Sequence, residues 1–180
     1  MTIAPTIETE RLILRPNRAE DFEAYAAFYA TERATLRGGV KSRDEAWVQF
    51  AAEIGHWTLR GYGFWAVEEK ATGAYVGQVG CYYPEGWAQP EIGWLMMAGF
   101  EGKGYAYEAA LCARAYAYDV LGWEQAASCI SVGNDRSIRL AERMGAVLDR
   151  MHPRDGKPDQ YVYIHPAPGS ASGAALEALQ

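Results

Sequence analysis

The chain has 180 residues, 49% of them hydrophobic and 22% charged, with a formal net charge of −6. That length suits one domain with a proper core, and no run reaches the roughly 18 apolar residues of a membrane-spanning helix. The acidic balance argues against a sequence-independent nucleic-acid surface, which needs a basic face.

The first five residues lack a basic start followed by an apolar core, which points to the cytoplasm. Cys81, Cys112 and Cys129 have no metal-ligand spacing and sit in apolar patterns, so they read as buried free thiols. His56, His152 and His165 are equally scattered, and no metal is expected.

Residues 11–15 alternate charged and apolar side chains as a strand does, and Pro16 and Asn17 close it. Phe22, Tyr25, Ala26, Phe28 and Tyr29 recur at helical spacing, with Asn17 and Glu20 as the expected capping box. Ser42 and Glu45 repeat that signal ahead of Trp47, Phe50, Ala51, Ile54 and Trp57, and Gly61 and Gly63 stop this second helix. Residues 64–68 and 75–83, joined by a turn at 71–73, read as an antiparallel hairpin.

A strand over 91–97 breaks into glycines and restarts as an alanine-rich helix from Tyr105 to about Leu121, with Gly122 as its stop. A strand over 126–132 follows. Strand, helix and strand in that order form a right-handed crossover, so these two strands run parallel. Asn134 caps a short helix that Gly145 stops, and residues 146–151 and 161–165 form a closing hairpin. Past Pro166 the composition shifts to Gly, Ala and Ser. The expected organisation is one domain over 1–166 and a tail over 167–180, with a turn of helix at 174–180.

The glycine elbow between the strand and the helix is the chemical signal. A helix leaving a glycine-rich loop has unpaired N–H groups and the positive end of its dipole, a ready site for phosphate oxygens. A Walker loop is excluded, because Gly102-Lys103 is followed by Gly104 and Ala98 stands where the first glycine belongs. A dinucleotide fingerprint fails too, since Tyr107 replaces its third glycine and the next strand ends at Ile130-Ser131-Val132 without an acid.

The element order β-α-α-β-β-β-α-β-α-β-β, with its elbow after the fourth strand, resembles the GNAT superfamily of acyl-coenzyme A N-acyltransferases over residues 9–165. Two motifs carry the resemblance. Glu101-Gly102-Lys103-Gly104-Tyr105-Ala106 matches the family's Gln/Arg-x-x-Gly-x-Gly/Ala loop, except that Glu101 replaces Gln or Arg. Asn134, Ser137, Glu142, Arg143 and Gly145 match its Asn-x-x-Ser/Ala-x-x-x-x-Glu-Lys/Arg-x-Gly segment. The opening Thr9-Glu10-Arg11-Leu12-Ile13-Leu14-Arg15-Pro16 looks like the branch that contains ribosomal-protein N-terminal acetyltransferases.

The resemblance implies an α/β fold with a mixed central sheet of about seven strands. Its fourth and fifth strands are splayed, the fourth by a bulge. It implies acetyl-CoA as cosubstrate, with Leu95, Met96 and Met97 on the pantetheine arm and an N–H there stabilising the oxyanion. The loop Gly102, Lys103, Gly104, Tyr105, Ala106 and Tyr107 is implied to hold the pyrophosphate by its backbone, with Glu101 turned to solvent; the Lys103 side chain either assists the phosphates or is a solvated loop lysine.

The implied acceptor is a primary amine of a protein N-terminus, a small amine or an amino-acid-like metabolite, attacking directly through a tetrahedral intermediate. A homodimer fits the family; no membrane or nucleic-acid partner is expected. The family's usual tyrosine proton donor aligns with Ala141, so Ser137 is the candidate in its place, either orienting the thiolate or a water, or supporting the helix start. Asn134 is a cap and coenzyme-arm contact, or a cap alone.

Glu91 is the candidate base, or else a solvated strand-start residue. Tyr82, Tyr83 and Glu85 are alternative acceptor contacts, while Trp57, Trp87 and Trp94 are read as core. The competing reading is a non-catalytic acyl-CoA sensor, which the absent tyrosine and Glu101 would suit.

Overall fold

The structure is a computed structural model that describes residues 4–168. Most of the tail placed at 167–180, including the expected turn of helix, lies outside the described residues. No helix among the described residues is long and apolar enough to cross a membrane.

The strands are β1 (Ile7–Glu8), β2 (Leu12–Arg15), β3 (Phe64–Glu69), β4 (Tyr75–Tyr82), β5 (Glu91–Met96), β6 (Ala127–Ser131), β7 (Val147–His152) and β8 (Gln160–Ile164). They form one sheet in the order β1-β2-β3-β4-β5-β6-β8-β7. The helices are α1 (Phe22–Tyr29), α2 (Arg43–Arg60), α3 (Tyr105–Asp119) and α4 (Asp135–Arg143), with a short 3-10 helix at Glu32–Arg37. The eighth strand is β1, a two-residue piece pairing Ile7 with Leu14. It carries too few residues to show an alternating pattern, and it makes the splayed pair β5 and β6 rather than the fourth and fifth strands.

The expected capping box at Asn17 and Glu20 is displaced by one residue. The Arg18 N–H donates to Asp21 Oδ2 at 2.8 Å, and Asp21 is buried in a bidentate pair with Arg15, both bonds 2.8 Å. Asn17 instead donates to the Phe64 carbonyl at 3.0 Å and accepts from Gln78 at 2.9 Å. A carboxylate able to satisfy a buried guanidinium outranks a local cap. Ser42 and Glu45 do form their box, with Glu45 N–H on Ser42 Oγ and Ser42 N–H on Glu45 Oε2, and Gly61 ends α2 at φ 80°.

The sheet buries both faces. On one, the fully buried Ala109, Ala110, Ala113 and Ala117 of α3 pack against Val79, Cys81 and Ile92. Alanines at that face leave little side-chain bulk between helix and sheet, so α3 can pack close against the strands. On the other face, Phe22, Tyr25, Phe28, Tyr29 and Phe50 cover Leu95 and Met97.

β5 and β6 are parallel, as the crossover requires, and pair only at Glu91 and Ala127. The bulge implied for the strand is absent. β5 keeps an unbroken register with β4 from Gly77–Met96 to Tyr82–Glu91, so the parting lies wholly on its β6 side.

Ser128 completes the parting. Its hydroxyl donates to the Ile92 carbonyl at 2.7 Å and accepts from His165 Nε2 at 2.9 Å. Burial lowers the His165 pKa to about 3, which fits the neutral ring with its proton on Nε2. Since Ile92 and Ser128 are buried, Ser128→Ala leaves a buried carbonyl without its donor. It should cost about 1–3 kcal/mol in urea denaturation; wild-type stability would show that the carbonyl finds another donor.

Candidate active site

Beyond Glu91, the edge of β5 facing β6 has no strand to bond. Antiparallel residues alternate between those that bond the neighbour and those that turn N–H and C=O the other way. Met97 N–H donates to the Val76 carbonyl at 2.9 Å, so Leu95 is committed to β4 as well and Trp94 and Met96 face the gap. The Met96 carbonyl accordingly accepts from Arg33 Nη2 at 3.1 Å, as Ile92 does from Ser128. This corrects the trio Leu95, Met96 and Met97: the outward backbone is that of Trp94 and Met96. Met97 is buried in the core, and Leu95 offers the cleft only a side chain.

At the elbow, Gly102 and Gly104 have φ of 75° and 82°, a region glycine enters without strain. The first helical bond of α3 runs from Glu108 N–H to the Gly104 carbonyl at 3.1 Å, and no side chain caps the helix. The N–H groups of Tyr105, Ala106 and Tyr107 therefore have no partner within it.

The N-terminal segment clamps this turn. Thr9 Oγ1 and Arg11 N–H donate to Glu108 Oε1 at 2.6 and 2.8 Å, and Arg11 Nε to Oε2 at 2.7 Å. Arg11 also donates to the Lys103 carbonyl at 2.9 Å. Burial works against the charged Glu108, yet the Thr9 and Arg11 donors hold its carboxyl below the usual range.

Two expectations for the loop are corrected. Glu101 is not turned freely to solvent: it pairs with Arg33 and accepts from the Gly99 N–H at 2.8 Å. Those donors overcome a burial penalty and keep it below the ordinary carboxylate range, so an arginine from another element neutralises its charge. Lys103 is exposed and does not line the cleft; its Nζ lies 4.9 Å from the Phe100 ring centroid.

A cleft of about 870 Å³ runs from the elbow along Trp94, Leu95 and Met96 to Asn134 and Ser137. Arg33, Arg37, Arg136, Arg139 and Arg143 also line it. Sequence reasoning did not assign these arginines to a site. Their signal was the spacing of three and four along α4, which puts Arg136, Arg139 and Arg143 on one face. Arg143 also stacks 4.2 Å from the Tyr107 ring centroid, joining α4 to the elbow.

Where the cleft meets the gap, a smaller cavity of about 70 Å³ is lined by Glu91, Trp87, Trp94, Arg37, Arg154, Asn134 and Ser137, among others. The two volumes share Leu36, Arg37, Trp94, Asn134 and Ser137. The two candidate catalytic residues, Glu91 and Ser137, are thus brought to one cavity.

Trp94 is not mere core, since its indole N–H donates to Ser137 Oγ at 3.1 Å. Asn134 caps α4, accepting from Ser137 N–H at 3.3 Å. Trp87 donates to Glu91, which is buried rather than solvated at a strand start. Burial pushes the Glu91 carboxyl above its ordinary range, against the pull of Arg37, the Trp87 N–H and Arg154.

Trp57 does belong to the core. Tyr82, Tyr83 and Glu85 line neither volume, and Glu85 pairs with Arg60. Ala141 is fully buried beside Ile130 and Tyr163. Cys81 and Cys129 are buried free thiols, and burial pushes both upward, away from nucleophilic character.

A parallel pair that opens beside a glycine-fronted helix defines the acyl-coenzyme A N-acyltransferase fold. The family model described as "Acetyltransferase (GNAT) domain" matches residues 11–147, and the chain belongs to that family. It is similar to the acetyltransferase of Agrobacterium tumefaciens strain C58, with 37% identity, a TM-score of 0.84, and 91% of this chain and 95% of that one covered.

In Bacillus subtilis strain 168 it is similar to the uncharacterized N-acetyltransferase YoaA, 25% identical over 91% of this chain and 92% of YoaA. The uncharacterized protein YkkB of that strain is 34% identical over 103 residues, 55% of this chain and 60% of YkkB. A Vibrio cholerae structure whose name proposes a ribosomal-protein-serine acetyltransferase shares the fold at 24% identity and a TM-score of 0.74, over 92% of this chain and all of that one.

The clamp at the elbow is testable by amide hydrogen exchange. Glu108→Ala should accelerate exchange about tenfold or more at the amides of residues 108–111, the first turn's N–H groups that bond the carbonyls of 104–107, the equivalent of about 1–2 kcal/mol, with β4 amides unchanged. Equal exchange in that turn would remove Glu108 from that role.

Proposed function

We propose that this protein is an acetyl-CoA-dependent N-acetyltransferase acting on a primary amine by direct attack, with its catalytic unit in residues 1–166. The reading is carried by one observation: an uncapped helix N-terminus, a free strand edge and an indole-oriented hydroxyl lie along one continuous cleft. The residues present fit the coenzyme. The N–H groups of Tyr105, Ala106 and Tyr107 suit a pyrophosphate, with Gly102 and Gly104 keeping the approach open. Arg136, Arg139 and Arg143 supply positive charge to an anionic ligand, in a protein that is acidic overall. Met96 and Trp94 offer backbone groups to the pantetheine arm.

Bound acetyl-CoA supplies a thioester activated toward amines. Ser137 Oγ already accepts the Trp94 N–H, so its own O–H is left to donate elsewhere. That O–H suits a hydrogen bond that orients the departing thiolate, strengthened by the bond Ser137 already accepts; Ser137 keeps its proton and leaves the step unchanged. The outward N–H at Trp94 or Met96 suits the oxyanion. Glu91, buried and held by Trp87, takes the amine proton; a carboxyl raised toward neutrality is better matched to that task than an ordinary one. Asn134 positions Ser137 by capping α4.

The acceptor is a protein N-terminus, as in the ribosomal-protein branch, a small amine or an amino-acid-like metabolite. The burial of Ala141, with no tyrosine there, favours the sensor reading instead. A thiol-release assay across an amine and peptide panel separates the two, since saturable acetyl-CoA binding with no release for any acceptor belongs to a sensor.

Ser137→Ala should lower kcat by about 10²-fold with the acetyl-CoA Kd within about twofold of wild type. An unaltered kcat would return Ser137 to a structural role. For Glu91 the sign follows from the base form being the active one. Wild-type kcat/KM should rise with pH as the carboxyl loses its proton, with the inflection above the ordinary carboxylate range. Glu91→Gln should lose that limb; superimposable profiles would assign the base elsewhere.

A further inference from the structure

The small cavity beside Ser137 holds an unequal set of charges. Glu91 is the only carboxylate among its lining residues, whereas Arg37 and Arg154 both reach it. Neither guanidinium hydrogen-bonds or ion-pairs with a described residue. Each is held by an aromatic face instead, Arg37 at 5.3 Å from the Phe64 ring centroid and Arg154 at 5.8 Å from that of Trp87. A cation over a ring spends none of its N–H groups on a hydrogen-bond partner, so each guanidinium keeps a fork able to take a carboxylate by two bonds.

We infer that the acceptor is a small amine carrying a carboxylate close to its amino group, held by Arg37 and Arg154 with the amine at Glu91. The inference rests on the acetyltransferase reading and narrows its acceptor. Its charge accounting is consistent. An amine reacts in its neutral form, so an amino acid in the reactive state is a net monoanion, the complement of two arginines set against Glu91; Glu53, which also acts on Arg37, is pushed by burial toward its neutral form. A protein N-terminus has a peptide carbonyl where that anion would be, and would leave both forks unfilled in a half-buried cavity. The cavity is also small enough to suit a head group. Both Arg37 and Arg154 act on the Glu91 carboxyl, opposing the upward push of burial, so their charges reach the point where the amine would sit.

The test compares kcat/KM for matched pairs, glycine with glycinamide and alanine with alaninamide, beside a short peptide. The amide's amine is less basic and more of it is neutral at a given pH, so the chemistry alone favours the amide. A preference of about tenfold or more for the free acid is the expected result. Arg154→Gln should bring that ratio close to one while the acetyl-CoA Kd stays within about twofold. Arg37→Gln should also bring the ratio close to one, and Arg154 on its loop, which does not line the coenzyme cleft, keeps the test decisive if the Arg37 variant does not fold.

A wild-type ratio of one or below, a better peptide, a preference for aminomethylphosphonate, or an Arg154→Gln enzyme that keeps the ratio would each overturn the inference. Calorimetric titration of N-acetylglycine and N-acetylglycinamide into the CoA-bound protein reads the same head group without turnover. Carboxylate-dependent binding there with no thiol release from any amine would sink the enzyme reading and keep the anion site. Rapid turnover of acids and amides alike would do the reverse.

Discussion

The parting of β6 from β5 after one pair, Glu91 with Ala127, is the constraint on which the rest depends. Parallel strands that continued to pair would close the slot and consume the N–H and C=O groups of Trp94 and Met96. The fold holds them apart without orphaning the buried Ile92 carbonyl, because Ser128 donates to it and neutral His165 donates to Ser128. Polar satisfaction by a side chain thus replaces a ladder bond. α4 lines the opening, with its cap Asn134 and third residue Ser137 shared by the cleft and the small cavity.

Charge is distributed against the average of the molecule. The chain is acidic overall, yet five arginines from the 3-10 helix and α4 converge on the cleft. The one carboxylate in the phosphate-like loop, Glu101, is taken up by Arg33 and the Gly99 N–H. A position that looks electrostatically wrong in the loop motif is therefore an ion pair that ties the 3-10 helix to the elbow. The same economy operates at Glu108, where a carboxylate in the first turn of α3 binds Thr9 and Arg11 and so couples the start of the chain to the elbow.

Much of the architecture was legible because it is written in short-range chemistry. The Ser42–Glu45 box, the stop at Gly61, the glycines at 102 and 104 and the cap at Asn134 act within a few residues, and alternation or helical spacing marks the rest. Arg15 and Asp21 show where this fails: Asn17 and Glu20 have the right local spacing, but a buried guanidinium recruited Asp21. Trp94 shows it again, since nothing in a strand of apolar residues says that one indole will reach a serine 43 positions later.

By itself the sequence determined the element order, the parallel crossover and the glycine elbow, because each depends on residue type at fixed spacing, and it offered Ser137 and Glu91 as candidates. Only the tertiary structure decided that Trp94 and Met96 face the slot while Leu95 and Met97 do not, since strand phase follows from which neighbour is bonded. It also decided that Arg33, Arg37 and Arg154 meet the site. Those residues come from the 3-10 helix and from the loop between β7 and β8, and their approach is set by packing across the sheet, which no local pattern records.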